Sequence, residues 1–526
     1  MSEAMTPADA FVVEPDGRRS AARRLGANRV GLAGVLMQAV AQISPTLGIF
    51  YTIAFTTGQA GVTAPLTYLL AFILCLTLAV PLGGLARRLP SAGGYYTYVS
   101  EGLGPKTGYM VGWLYGASVA LVPAALAAFT GAVLHDELDA EFGFGLPWWV
   151  YAVIILALCM FVAFRGIVLS ARFMLTMGAY EIVIGLGLAL TGIINPGPGG
   201  LTARGFLPSH IPSSSGFFLA VVLSIFAFTG FESAANIAEE SRNPTRYVPW
   251  AITGSVALMG VFYVFCAWGL QAGWGVSNLT ALANSPTAPA FVLGHRLWGA
   301  AWILILIALL NSGIGVCIAC TTSSTRTLFS MARSGGLPKW LSAVHPTHRT
   351  PYRAVILQFG VVIVLLVAMG IPLGAYNMFN LFGTTGTFTY VIIYGLGNVA
   401  AWRYFRTAGR DESSVIKYVV FPVVATAALV YIAYKSYIPL PAAPVVFAPV
   451  IVGVYVAVGA GCLTWALRPG RRDWMTRAGV MENLTEAPGR PPPAPGPPVS
   501  RQPPRPAPQE STRRRRPGRT SRNDDD

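Results

Sequence analysis

Two carboxylates fall inside stretches long and apolar enough to cross a bilayer, Glu181 within 173–194 and Glu232 within 216–238. An ionisable side chain in hydrocarbon is costly, and it persists where it faces a bundle interior, a cavity or an ion pathway. Glu232 closes the run Phe226-Ala227-Phe228-Thr229-Gly230-Phe231-Glu232, which sets a helix-weakening glycine in mid-span. A second interruption lies upstream at Ile43-Ser44-Pro45-Thr46-Leu47-Gly48, where Pro45 has no amide hydrogen and crowds the carbonyl of Ala41. Unwinding a helix leaves amides unpaired on one half and carbonyls on the other. The amides, at the positive end of a dipole, suit a carboxylate, and the carbonyls suit an ammonium or a metal cation. The chemistry expected is non-covalent capture of a small zwitterion, its carboxylate on amides around Ser44 to Gly48 and its ammonium on carbonyls around Phe226 to Thr229.

Glu181 is the coupling candidate. It lies nine residues beyond Arg172, roughly 13 Å along a helix and away from bulk water. A carboxyl at that depth can load a proton on one side and release it on the other. Alternatively it binds sodium with hydroxyls at Thr322, Ser323 or Ser324. Glu232 is a second candidate for proton sensing, or a cap for the unwound segment. Glu239 and Glu240 are expected to pair with Arg242 or Arg246.

The elements that carry these residues are read from composition. Of 526 residues, 54% are hydrophobic and 11% charged, against about 25% charged in a soluble chain. Twelve apolar stretches of about 20 residues predict an all-α membrane protein. The formal net charge of +15 is placed asymmetrically: the outer loops hold Arg204, Arg296 and Lys435, and the remaining basic residues fall on the other side. The positive-inside rule then puts both termini in the cytoplasm of a multi-pass plasma-membrane protein. Arginine-over-lysine, alanine-rich usage points to a bacterial cell membrane. The arginines Arg513 to Arg516 sit in a proline-rich tail, read as disordered near an anionic leaflet rather than as a nucleic-acid site.

The two breaks are about 185 residues apart with five spans between them, an odd number, so the second five-helix unit is inverted relative to the first. The expected organisation is a tail at 1–29, a first repeat at 30–194, a second at 216–402, two further helices at 417–467 and a disordered tail at 468–526.

Helix 6 and its exit, with Glu239-Glu240 and Asn243-Pro244, resemble the amino acid–polyamine–organocation (APC) permease superfamily. So do Arg326-Thr327-Leu328-Phe329-Ser330-Met331-Ala332-Arg333-Ser334-Gly335-Gly336-Leu337-Pro338 and Leu89-Pro90-Ser91-Ala92-Gly93-Gly94-Tyr95-Tyr96. The resemblance covers about residues 28–470 and implies the five-plus-five inverted repeat of the leucine transporter fold. It also implies permease activity toward amino acids or related amines, a substrate site at both breaks, and Phe226 as a gating aromatic. The chain departs from the family pattern twice. Ser44-Pro45-Thr46 stands where many relatives carry small Gly-Ser-Gly-like residues, and Glu181 stands where many carry a helix 5 lysine.

The reading is therefore a secondary active transporter of amino acids, proton-coupled, with polyamine or amine transport and amino acid exchange as alternatives. A non-transporting sensor would need an output domain, and an enzyme would need a nucleophile or metal set. Cys317 and Cys320 have a C-x-x-C spacing but lie in an apolar helix and read as packing residues. No catalytic residues, resident cofactor or metal are expected; the partners are a small amino acid or amine, the bilayer and the coupling ion, H+ or else Na+.

Overall fold

The computed structural model describes residues 11–13, 19–21, 25–285, 287–410, 414–438, 440, 442–469 and 472–478. These lie in one compact unit, Met1–Met481; a second unit, Glu482–Asp526, falls outside the described residues, as do Arg513 to Arg516. A three-residue strand pair, Phe11–Val13 antiparallel to Arg19–Ala21, precedes a helical body.

The helices in chain order begin with α1 Leu32–Ile43, α2 Pro45–Phe50 and α3 Thr52–Ala60, then α4 Ala64–Arg88 and α5 Tyr95–Leu103. Next come α6 Pro105–Phe142, α7 Trp148–Arg165, α8 Ile167–Ile194, α9 Ser214–Phe226 and α10 Pro244–Trp274. The short α11 Leu279–Ala283 and α12 Pro289–Trp298 lead to α13 Ile303–Ser334, α14 Tyr352–Leu365 and the single turn α15 Ile371–Leu373. The chain closes with α16 Ala375–Thr407, α17 Phe421–Tyr437, α18 Ala448–Ala466 and α19 Trp474–Arg477. Among the described residues, eleven helical stretches are long and apolar enough to cross a membrane. The helix α16 is 33 residues long but is not among them, because Asn377, Asn380, Thr384, Thr385, Thr387 and Thr389 dilute its apolar character.

The body is apolar outside and polar within, the reverse of a soluble domain. Val183, Val261, Val364 and Val423 are more than 60% exposed, whereas Gln38, Thr46, Glu232, Glu240 and Arg326 are buried. Backbones approach closely where side chains are smallest. A Cβ added to Gly269 of α10 would sit 2.5 Å from the Ala189 carbonyl oxygen of α8.

Three boundaries differ from the sequence reading for physical reasons. The acidic run Asp136 to Asp139, which lies past the apolar part of its span and reads from the sequence as an outer loop, continues α6 to Phe142, because a helix leaving the bilayer still satisfies its own backbone. The apolar run before α13 is divided by the turn Gly299–Trp302. The tail expected to be disordered from 468 starts with an ordered turn: Trp474 is buried, donates from Nε1 to Ala466 O at 3.0 Å and lies 5.4 Å from the Tyr109 ring.

Candidate functional site: two unwound helices and their carboxylates

Between α1 and α2 the helix is interrupted at Ser44, which adopts φ +70°, a left-handed conformation uncommon for a residue with a side chain. Pro45 then restarts the helix at its first position, where a missing amide costs nothing. The first amides of α2 do not stay bare. Glu181 Oε2 accepts from Thr46 N at 3.3 Å and from Thr46 Oγ1 at 3.2 Å. Leu47 N donates to Ser312 Oγ at 3.4 Å, and Gly48 N donates to Ser44 O at 2.8 Å. Asn311 Nδ2 of α13 donates to the other oxygen, Glu181 Oε1, at 2.5 Å. Ser44 and Ser312 hydroxyls meet at 2.7 Å. The buried carboxylate thus ties α8 to the head of α2 and to α13.

The second break follows α9. Residues 227–230 form turns, Gly230 sits at φ +120°, and the chain continues over Phe231–Glu240 in tight three-residue-per-turn segments that meet in a kink at Ile237. A Cβ on Gly230 would lie 2.7 Å from the Gln42 carbonyl carbon, so both the conformation and the approach to the first break require glycine. Glu232 Oε2 accepts from Gly230 N at 3.1 Å and from Tyr394 OH at 2.7 Å, and Gln42 Nε2 reaches Glu232 Oε1 at 3.5 Å. Phe226 O accepts from Thr229 N and Thr229 Oγ1, at 3.1 and 2.9 Å. Phe226 itself lines a small void with Thr229, Phe231, Tyr390 and Tyr394.

One side chain serves both breaks. The Tyr263 hydroxyl of α10 lies 3.2 Å from Ile43 O, 3.1 Å from Ser44 O and 3.1 Å from Ala227 O, and its proton is shared among these three carbonyls, of which Ser44 O also accepts from Gly48 N. Gly48 makes room for it, since a Cβ there would fall 2.2 Å from the phenol oxygen. Of the peptide groups expected to grip a ligand, Thr46 N, Leu47 N, Phe226 O and Ala227 O are therefore bonded in this conformation by side chains of the chain itself.

The structure does not bring Thr322, Ser323 and Ser324 to Glu181. Ser323 Oγ donates to Gln42 Oε1 at 2.9 Å, Ser324 Oγ to Gly116 O at 3.1 Å, and Thr322 O accepts from Arg326. The α13 groups that do reach Glu181 lie three turns earlier, because the helix crosses α8 nearer its start. Nor do Glu239 and Glu240 pair with Arg242 or Arg246. Tertiary packing sets them against α13: Glu240 meets Arg326 at 2.5 Å and Glu239 meets Arg333 at 2.6 Å. Backbone bonds from Arg29 N and Val30 N to Glu240 O pin the approach to α1 at the same place.

Helices α6 and α13 run antiparallel, with Ser324 beside Gly116 and Gly313 beside Thr130. The ion pairs therefore close one end of the bundle. The opposite end carries an aromatic plug, in which Phe129 lies 4.7 Å from Tyr51 and 4.3 Å from Phe379. Tyr376 OH donates to Asp136 Oδ2 at 2.5 Å and ties α16 to α6 there.

Sequence reasoning missed Tyr263, Gln42 and the Asn311–Ser312 pair. A signal existed for the last two: Gln38 and Gln42 share one face of α1, and Asn311-Ser312 interrupts an apolar helix.

Two unwound helices in apposition, with a carboxylate buried at each and a closure at either end, define a membrane transport protein. The chain belongs to the amino acid permease family, whose model matches residues 34–474. It is similar to the low-affinity putrescine importer PlaP of Escherichia coli (strain K12), 28% identical over 377 residues covering 68% of this chain and 78% of that one. It is also similar to the branched-chain amino acid permease BcaP of Bacillus subtilis (strain 168), 27% identical over 414 residues, 73% and 82% of the two chains. The serine/threonine exchanger SteT of the same organism is 25% identical over 314 residues, 57% and 67% of the two chains. The protein is a multi-pass membrane transporter and not an enzyme.

Proposed function

We propose that this permease is a secondary active transporter moving small ammonium-bearing solutes, amino acids or related amines, across the bacterial plasma membrane by alternating access coupled to protons. Its architecture is twelve spans, with α16 the tenth, in a five-plus-five inverted repeat and α17 and α18 outside it. Basic residues concentrated on one side put both termini in the cytoplasm. The end closed by Glu240–Arg326 and Glu239–Arg333 faces inward, and the aromatic plug faces outward. Solute enters when the plug parts and leaves when the ion pairs separate.

The observation that carries the reading is the reach of Glu181 across the first break, to the leading amide of α2 and to Asn311. Only a charged carboxylate accepts both bonds fully. A protonated one gives up an acceptor, loosens α2 from α8 and α13, and so couples a proton to the tilt of a half-helix. Sodium coupling through Thr322, Ser323 and Ser324 has less support, since Ser323 and Ser324 are bonded elsewhere. Glu181→Gln in proteoliposomes tests the coupling. Uptake driven by an inward proton gradient disappears while solute exchange persists; gradient-driven accumulation equal to that of the unmodified protein removes Glu181 from the mechanism.

A further inference from the structure

Beyond α18 the chain turns back on the bundle and buries a tryptophan at the end closed by the ion pairs. Leu467 N donates to Leu463 O at 2.9 Å, and Trp474 donates from Nε1 to Ala466 O at 3.0 Å. The indole meets the Tyr109 ring of α6 at 5.4 Å, and its Cβ packs on Gly335, where an added Cβ would lie 3.4 Å away. With Tyr96, Tyr109, Met331, Leu337 and Ala466, Trp474 belongs to an apolar cluster apart from the main core.

The turn beneath the indole is the one that ends α13. Gly335 N donates to Ala332 O at 3.1 Å, Gly336 N donates to Met331 O at 3.0 Å, and Gly335 takes φ +96°, which glycine reaches without strain. Gly336 faces the Tyr109 ring, to which an added Cβ would come within 3.2 Å. The turn is thus packed against both rings. Two residues before Gly335 stands Arg333, at most about 7 Å of chain away. Its guanidinium donates to both oxygens of Glu239, at 2.8 and 2.6 Å. Ser334, between them, meets the Tyr96 hydroxyl at 2.8 Å. A two-bond fork tolerates little displacement, since a shift of about 1 Å along the bonds carries either one beyond hydrogen-bond range. Arg326, by contrast, sits about two turns inside α13 and also bonds Thr322 O of its own helix, so its pair with Glu240 does not depend on the turn.

We propose that Trp474 is a positioning residue of the inner closure: it clamps the turn that ends α13 against α6 and so keeps Arg333 set for Glu239. This rests on the reading above, in which the Glu239–Arg333 end parts to release solute. A segment past the last span then holds one side of that closure without touching solute. Glu239 belongs to the other side, next to Glu240, whose carbonyl accepts from Arg29 N and Val30 N. Loss of the clamp leaves both partners of the ion pair present but no longer held in register, and this end opens more often.

Amide hydrogen exchange, followed by mass spectrometry on the full chain in lipid nanodiscs, tests the clamp, with thermal unfolding confirming that each variant folds. A role confined to packing speeds exchange around Gly335 and Ala466 and leaves 231–240 unchanged. The expected result for Trp474→Ala is exchange roughly threefold or more faster at 231–240, across the closure. Trp474→Phe, which keeps a ring against Tyr109, should hold exchange there closer to that of the unmodified protein. Where Trp474→Ala does not fold, Trp474→Leu is read by the same measure. In an Arg333→Met background the added Trp474→Ala should change exchange at 231–240 by less than about 1.5-fold, since the guanidinium through which the indole acts is gone. Acceleration by Arg333→Met without any by Trp474→Ala, or an equal effect of Trp474→Ala with and without Arg333, overturns the clamp and leaves the closure standing. No acceleration by Arg333→Met alone overturns the closure reading and the clamp with it.

Discussion

The two breaks solve one physical problem with different materials. At the first, a serine takes the left-handed turn, proline restarts the helix at once, and a carboxylate from α8 and a serine hydroxyl from α13 accept from the exposed amides. At the second, glycine takes a more extreme turn, the chain runs on in tightened turns kinked at Ile237, and a tyrosine hydroxyl from α16 meets the carboxylate. Glu181 bonds directly to the backbone of a short half-helix, which is the contact the proposed coupling uses. Glu232 is held by the amide of Gly230, by Tyr394 of α16 and by Gln42 of α1, so it links the two breaks rather than capping a half-helix. On the reading proposed above, coupling belongs to the first break.

The strongest way to break this contrast is to release the second half from its anchor. Glu240 and Arg326 are both buried, and Arg326→Met leaves an uncompensated carboxylate, at a loss of about 3–5 kcal/mol. Thermal unfolding in detergent should fall accordingly, with the double variant Arg326→Met/Glu240→Gln recovering part of the loss. The next effect separates the breaks directly. Gly230→Ala should destabilise by roughly 2–4 kcal/mol through its positive φ and its contact with Gln42. Ser44→Gly should shift stability by under about 1 kcal/mol, because relief of the left-handed strain offsets the lost bond to Ser312. Comparable losses at both positions would show that the breaks are not built differently. Tyr263→Phe removes the hydroxyl common to both and should cost about 1–3 kcal/mol, with solute exchange slowed in proteoliposomes. Ser323→Ala removes one bond to Gln42, a small loss of about 1 kcal/mol, and leaves any ion dependence of uptake unchanged. A sodium-specific defect in that variant would restore the hydroxyls of α13 to the coupling site.

Much of the candidate site was legible because membranes punish irregularity. Pro45 and Gly230 stand out in apolar runs, and Glu181 and Glu232 stand out more, since each needs a reason to be there. The partners were not legible. Arg242 and Arg246 are near Glu240 in sequence, yet Arg326, 86 residues away, holds it, because α13 and not the following loop packs on the tightened helix. Nothing in the Tyr95-Tyr96-Thr97-Tyr98 run says which ring meets α16. Thr322 to Ser324 carry the right donors at the wrong depth.

Composition and interruption, read along the chain, determined that this is a helical membrane protein whose spans unwind in two places around buried acid. Local chemistry suffices for that, since hydrocarbon forces every backbone group to find a partner and exposes each residue that disturbs the pattern. Which partner each freed group finds was decided by the tertiary structure alone. Helix crossings bring Tyr263 to three carbonyls, Asn311 to Glu181 and Tyr394 to Glu232, and crossing positions depend on how whole helix faces pack against one another.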